Sequence, residues 1–360
     1  MTRPRPTSRS PRRRFISVAG LVTAASLVLA ACGGNTGDAP TGAATGGGSD
    51  RPFVFGAFAT PLEEPWDGAI HAALESAAED GLIEYEYVDN LRTADEMERA
   101  LRDIIASADP DIIIGDAFAA EEVVRVVATD FPDTAFAFGS GGTEQAPNFS
   151  VFDNWMQDPA YLAGMLAGGL TETGTIGVVG AMPIPEVNRI VNGFVAGVQE
   201  TNPSATVTVS FINSFFDPAA AKQAAEAAIA NGADVLFAER DGVIAAAAEN
   251  SLPVFGMMVD QQEQAPEYVV SSLLWNMRPT VEAVVEDVVA GQFEASNLAE
   301  YSFLVNGGSS LAPINTGTAF EIPADLVVLV ETRQAEMLDG TFETPINEEA
   351  PAGSTTIGEE

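Results

Sequence analysis

Short runs rich in β-branched and aromatic residues alternate with helical patterns of roughly ten to fifteen residues along most of the chain, and this cadence limits the possible folds more than any other feature. The runs begin at Phe53 (Phe-Val-Phe-Gly-Ala-Phe), Ile83, Asp111 (Asp-Ile-Ile-Ile-Gly) and Thr134, and the series starts again at Thr175, Val207, Val235 and Val254. Between them, Gly68 to Glu79 is rich in Ala and Leu, and from Asp95 to Ala106 the residues Met97, Leu101, Ile104 and Ile105 share one helix face. Apolar strands separated by helices indicate parallel sheets covered on both faces. The expectation is therefore an α/β protein of two doubly wound, parallel-sheet lobes.

Helix punctuation agrees. Asp217-Pro218 places an N-cap before a proline at the first helical position, Asn231-Gly232 closes that helix, and Pro185-Glu186 opens the one upstream. Beyond these, Tyr268 to Leu274 reads as a strand, Thr280 to Ala290 as a helix and Tyr301 to Val305 as a last strand. From Thr341 onward the chain is rich in Pro, Gly and Glu and is expected to fray.

The N-terminus has a different character. Arg3, Arg5, Arg9, Arg12, Arg13 and Arg14 precede an apolar stretch from Phe15 to Ala31, which reads as a bacterial export signal over residues 1–31. The stretch is shorter than the roughly 20 residues a membrane span needs, and it ends in small residues. Leu29-Ala30-Ala31-Cys32 looks like a lipobox, in which the Cys32 thiol takes a diacylglycerol. Cys32 is the one cysteine, so no intrachain disulfide can form. Arg12-Arg13-Arg14-Phe15-Ile16 also resembles a twin-arginine export motif. Residues 32–52 are small and polar after Cys32 and read as a flexible tether.

Charge and residue inventory narrow the chemistry. Sixteen basic residues against 52 acidic ones give −36, a field that repels nucleic acid and anionic lipid headgroups. A surface so acidic, with Lys222 as its one lysine, suits a cation-rich milieu. His71 is the only histidine, and no cysteine remains after lipidation, so neither a nucleophile–base pair nor a metal site is expected. The Gly139-Ser140-Gly141-Gly142 loop has no following Lys-Ser/Thr and is not a phosphate loop. Adjacent acids such as Glu63-Glu64 and Glu121-Glu122 read as solvated helix ends. The chain is read as a binder without a cofactor or metal, not as an enzyme.

In doubly wound sheets ligands bind beyond the carboxyl ends of the strands. The residues at those ends here are aromatic or acidic: Trp66, Asp116, Phe118, Phe215 with Phe216, Asp260 and Trp275. Aromatic faces can sandwich a flat ring, and a carboxylate accepts hydrogen bonds from its donors.

Several stretches resemble the basic membrane protein family, the purine-nucleoside-receptor-like substrate-binding lipoproteins of ABC transporters. They are Tyr161-Leu162-Ala163-Gly164, Gly180-Ala181-Met182-Pro183-Ile184-Pro185-Glu186-Val187-Asn188-Arg189, Asn213-Ser214-Phe215-Phe216-Asp217-Pro218, Asn231-Gly232-Ala233-Asp234-Val235 and Ser271-Ser272-Leu273-Leu274-Trp275-Asn276. The resemblance implies a type I periplasmic-binding-protein fold with two lobes on a hinge, a purine nucleobase or nucleoside as ligand, delivery to an ABC permease, and a lipid anchor on the extracytoplasmic face of the cell membrane. Asp260 matches the acid of the family's Asp-Gln pattern, and Trp275 stands where nucleoside receptors of the family often carry a lysine, which favours a free base. On this reading residues 53–153 and 277–298 form the N-terminal lobe, 154–276 and 299–340 the C-terminal lobe, and 341–360 an acidic tail. A sensing module for a membrane signalling partner uses the same fold. Riboflavin, other flat heterocycles or a sugar derivative also suit an aromatic, acid-lined cleft.

Overall fold

The computed structural model describes residues 51–357, so the export segment, Cys32 and the linker up to residue 50 lie outside the described residues. The first sheet is built from β1 (Phe53–Ala57), β2 (Glu84–Val88), β3 (Ile112–Asp116), β4 (Ala135–Gly139) and β5 (Phe149–Phe152). All are parallel, in the order β2-β1-β3-β4-β5. The connecting helices are α1 (Pro65–Glu79), α2 (Ala94–Ala108) and α3 (Glu121–Asp130). β3 and β4 are buried at every position, as expected of strands covered on both faces. Met97, Leu101, Ile104 and Ile105 form the buried face of α2, and a Thr93/Glu96 capping box starts that helix.

After α4 (Gln157–Leu170) the pattern repeats. The strands β6 (Thr175–Gly180), β7 (Thr206–Phe211), β8 (Val235–Ala238), β9 (Val254–Gly256) and β10 (Val269–Trp275) run parallel in the order β7-β6-β8-β9-β10, matching the first sheet strand for strand. The helices α5 (Pro185–Thr201), α6 (Pro218–Ala230) and α7 (Val243–Glu249) connect them, and Asp217 caps α6 through the Ala220 N–H as its sequence suggests. After β10, α8 (Arg278–Val289) packs against α1 of the first half. The chain then returns past β5, where Leu298 N donates to the Val151 carbonyl at 2.7 Å, to reach β11 (Ser309–Leu311), α9 (Ala324–Asp339) and β12 (Thr355–Thr356). Among the described residues no helix is long and apolar enough to cross a membrane.

α4 and α5 pack with their backbones nearly touching. A β-carbon added at Gly197 would lie 1.9 Å from the Tyr161 carbonyl oxygen, and one at Gly164 would lie 2.0 Å from that of Phe194. Gly197→Ala is therefore expected to lower stability by about 1–3 kcal/mol, because the helices must part to admit the methyl group. An unchanged thermal midpoint would mean that the contact is loose.

Two expectations are corrected. Tyr301 to Val305 is not a strand: it spans two 3₁₀ turns, Ala299–Ser302 and Leu304–Asn306, with bonds from Tyr301 N to Leu298 O and from Asn306 N to Phe303 O. The place beside β10 is taken by the antiparallel β11, so the aromatic and β-branched side chains of 301–305 have no edge to join. The segment beyond Thr341 does not fray within the described residues. β12 pairs in parallel with β7, Thr344 and Pro351 are buried, and Phe342 packs on Tyr161 at 5.1 Å. Its backbone carbonyls are satisfied by side chains about 160 positions earlier in the chain, a link that local composition does not reveal.

Candidate functional site

In a 2-1-3-4-5 sheet the strand order reverses between the first and third strands, and the loops there splay apart to leave a crevice. Here the crevice loops follow β1 and β3 in one sheet and β6 and β8 in the other. The loops after β1, β3 and β6, together with those after β4 and β7, border a cavity of about 780 Å³, within the usual range for a small-molecule site.

Four of the strand-end residues border this cavity: Trp66, Asp116, Phe118 and Phe215. Trp66 sits in the first turn of α1, 8% exposed, and its ring lies over Gly139, where an added β-carbon would be 1.9 Å from the indole. Phe118, after β3, meets Phe215, after β7, edge to face with centroids 4.9 Å apart, so one aromatic contact spans the cleft. Asp116 accepts the Phe118 N–H at 2.8 Å. Burial pushes its carboxyl up to about 7, aided by the charges of Glu64 and Asp153 and opposed by bonds from Phe118 and Ser140.

The other three stand elsewhere. Trp275 is 4% exposed and packs 4.9 Å from Trp66 and 6.2 Å from Phe152, with its Nε1 donating to Ser302 Oγ. Trp66 and Phe152 border the cavity and cover it, so Trp275 backs the wall without forming its surface. Asp260 is exposed on a turn outside the cavity, its Oδ1 accepting the Gln262 N–H. The buried member of that pair is Gln261, whose Oε1 accepts from Met257 N and whose Nε2 donates to Asp241. Phe216 is 43% exposed and does not border the cavity. His71 also lies away from it, with Nδ1 2.9 Å from the Tyr85 hydroxyl.

Glu64 corrects the reading of Glu63-Glu64 as a solvated pair. Glu63 is exposed, but Glu64 is 2% exposed and borders the cavity. Its Oε2 caps α1 by accepting from Trp66 N at 2.8 Å and Asp67 N at 3.2 Å, and its Oε1 accepts from Arg240 Nη1 at 3.2 Å. Arg240 follows β8, so this ion pair joins the two sheets' crevice loops. Arg240 is itself gripped by Glu239 (Nη2 to Oε1, 2.8 Å) and donates to the Phe215 carbonyl at 3.0 Å. Burial pushes both Glu64 and Glu239 upward, against the lowering effect of Arg240.

The opposite wall escaped the strand-end logic. It comprises Trp155, Asp153, the start of α5 (Ile184, Pro185, Glu186), Arg189 and Glu348. Burial, with the nearby charges of Asp153 and Glu239, pushes the Glu186 carboxyl up to about 8. The Pro-Ile-Pro-Glu run signalled part of this wall, but nothing marked Trp155 or Glu348. Among the described residues the cavity lining carries the carboxyls of Glu64, Asp116, Glu121, Asp153, Glu186 and Glu348 against one guanidinium, Arg189, which is already paired with Asp153 and Glu348. Such a surface disfavours anions and suits a neutral or cationic ligand with hydrogen-bond donors. Among the described residues no group of three His, Cys, Asp or Glu is placed to hold a metal ion.

Comparison with known proteins gives this site a context. A Haloferax volcanii protein provisionally named an ABC transporter glucose-binding protein is 34% identical over 59% of this chain and 54% of its own, so the match spans about half of that relative. A purine-binding protein of Brucella abortus is 26% identical over 72% of each chain. Among solved structures, an ABC transporter solute-binding protein from Conexibacter woesei superposes with a TM-score of 0.66 at 25% identity, covering 82% of this chain and 99% of that one. The family model described as "ABC transporter substrate-binding protein PnrA-like" matches residues 61–303, which contain both crevices and most of the cavity wall. The chain belongs to this Bmp family of PnrA-like ABC transporter substrate-binding proteins.

Proposed function

We propose that this protein is the extracytoplasmic, lipid-anchored receptor of an ABC importer and that it holds a purine nucleobase or nucleoside between its two lobes. The closing lobes are taken as residues 53–153 with 277–298 and residues 154–276 with 299–340, the tail joining the second. Trp66, Phe118 and Phe215 supply ring faces and edges, and Asp116 supplies hydrogen bonds. Cys32 carries the anchor, and a permease receives the ligand. The observation that carries this reading is the meeting of aromatic side chains and carboxyls from the strand ends of both sheets around one cavity. The purine-binding Brucella relative supports the ligand class. With a carboxyl near neutrality, Asp116 can donate to a ring nitrogen or accept from an amino group.

Calorimetry of the body from Arg51 onward against bases and nucleosides tests the reading, and finding no binder among them would overturn it. Phe215→Ala is expected to weaken ring binding by about 1–3 kcal/mol, as base–aromatic stacking does elsewhere. A sugar is the second reading, favoured by the name of the Haloferax relative and by carboxylates able to accept from hydroxyls. Glucose in the same titrations separates the two.

A further inference from the structure

One wall of the cavity depends on a segment from the far end of the chain. Arg189, in the second turn of α5, is 2% exposed, and its guanidinium lies 3.8 Å from the centroid of the Trp155 ring. Two carboxylates hold it there: Nη2 donates to Asp153 Oδ2 and Nη1 to Glu348 Oε1, each at 2.7 Å. Glu348 comes from the C-terminal segment, whose carbonyls are gripped by α5. Asn188 Nδ2 donates to Glu348 O at 2.9 Å, and Asn192 Nδ2 donates to Asn347 O at 2.9 Å and to Glu349 O at 2.8 Å. Farther along, β12 ties the segment to β7.

We propose that Glu348 is a positioning residue of the ligand cleft: carried in by the C-terminal segment, it completes a two-carboxylate clamp that presses Arg189 onto Trp155 and fixes that indole as a cavity wall. This rests on the reading of the cavity as the ligand cleft. A planar guanidinium bonded on two edges cannot pivot, and its flat approach to an indole is attractive in itself. Without Glu348, Arg189 turns about its single bond to Asp153 and the indole loses its backing. Among the described residues the indole Nε1 is buried without a hydrogen-bond partner, and Phe303 meets the ring edge to face at 5.6 Å.

The test uses the full chain and four variants. Glu348→Ala removes the clamp, and Glu348→Gln keeps a neutral acceptor. Asn192→Ala loosens the segment while leaving the clamp in place, and Trp155→Phe assigns the Trp155 indole N–H resonance. In ligand-free protein, Glu348→Ala is expected to shift and broaden that resonance, Glu348→Gln to fall between it and the parent, and Asn192→Ala to leave it unchanged. Titrated with adenine, guanine and adenosine, Glu348→Ala is expected to bind about tenfold more weakly than the parent, the equivalent of one hydrogen bond to a charged group. An unmoved Trp155 resonance in Glu348→Ala, or an equal shift in Asn192→Ala, overturns the proposal. If the parent binds none of the three purines, the ligand assignment fails while the indole resonance still decides the clamp.

Discussion

Arg240→Met is expected to destabilise the protein by about 3–5 kcal/mol, because removing one member of a buried ion cluster leaves the others unpaired. The cluster is Glu64–Arg240–Glu239, with side-chain exposures of 3%, 5% and 0%. Among the described residues Arg240 is the sole cation hydrogen-bonded to these two carboxylates, and it also holds the Phe215 carbonyl. Met fills a similar volume without a charge, so the effect isolates electrostatics more than packing. Glu64→Gln should cost less, since its remaining carbonyl oxygen can still cap α1 or accept from Arg240. If the two side chains act as a unit, the double variant falls short of the summed single effects by about 0.5–3 kcal/mol. Denaturant unfolding of the four proteins measures this. Strict additivity would mean that Glu64 and Arg240 do not share an interaction in solution. The same cycle repeated by small-angle scattering reads whether the pair also holds the two lobes together.

The second large effect is a stability that rises on acidification from about pH 8 toward pH 5. The carboxyls of Asp116 and Glu186 are pushed by burial to about 7 and about 8, from ordinary values of 3.8 and 4.5. The folded state therefore binds these protons more tightly than the unfolded chain does, and stability increases as protons are supplied. This contribution is complete below the unfolded carboxyl values and is lost as pH rises through 7 to 8. Burial moves Glu64 and Glu239 in the same direction, and so does the easing of self-repulsion in a chain of net charge −36. Asp116→Asn and Glu186→Gln separate the local effect from the global one. Each replaces an acid that the fold prefers uncharged, so each variant is expected to lose part of the pH slope and to gain on the parent at pH 8.5. Thermal midpoints at pH 5.5, 7.0 and 8.5 decide it. Variants whose slopes match the parent's would show that surface charge alone sets the pH dependence.

Much of the architecture could be read in advance because its signals are local. The all-apolar β3 and β4 mark strands covered on both faces, and Asp217-Pro218 marks the start of α6 at the residue where it begins. α4 was not marked in that way, because it is buried nearly all round and has no amphipathic period to reveal it. The site divides along the same line. Trp66, Asp116, Phe118 and Phe215 reach the cavity because the ends of parallel strands face the crevice whatever the rest of the chain does. Trp275 also ends a strand, but tertiary neighbours cover it, and Asp260 sits on a turn that faces solvent.

Alternation of strand and helix, and the residues at strand ends, were set by the sequence alone, since both depend on contacts within a few turns of chain. Which charges are buried was set only by the tertiary structure. Glu64 reads as solvated until Arg240, 176 positions away, is placed against it, and Glu348 reads as part of a loose tail until α5 takes hold of it. The reason is physical: the state of an ionisable group depends on how far water is excluded and on which opposite charge stands within a few ångströms, and neither is a property of its neighbours in sequence.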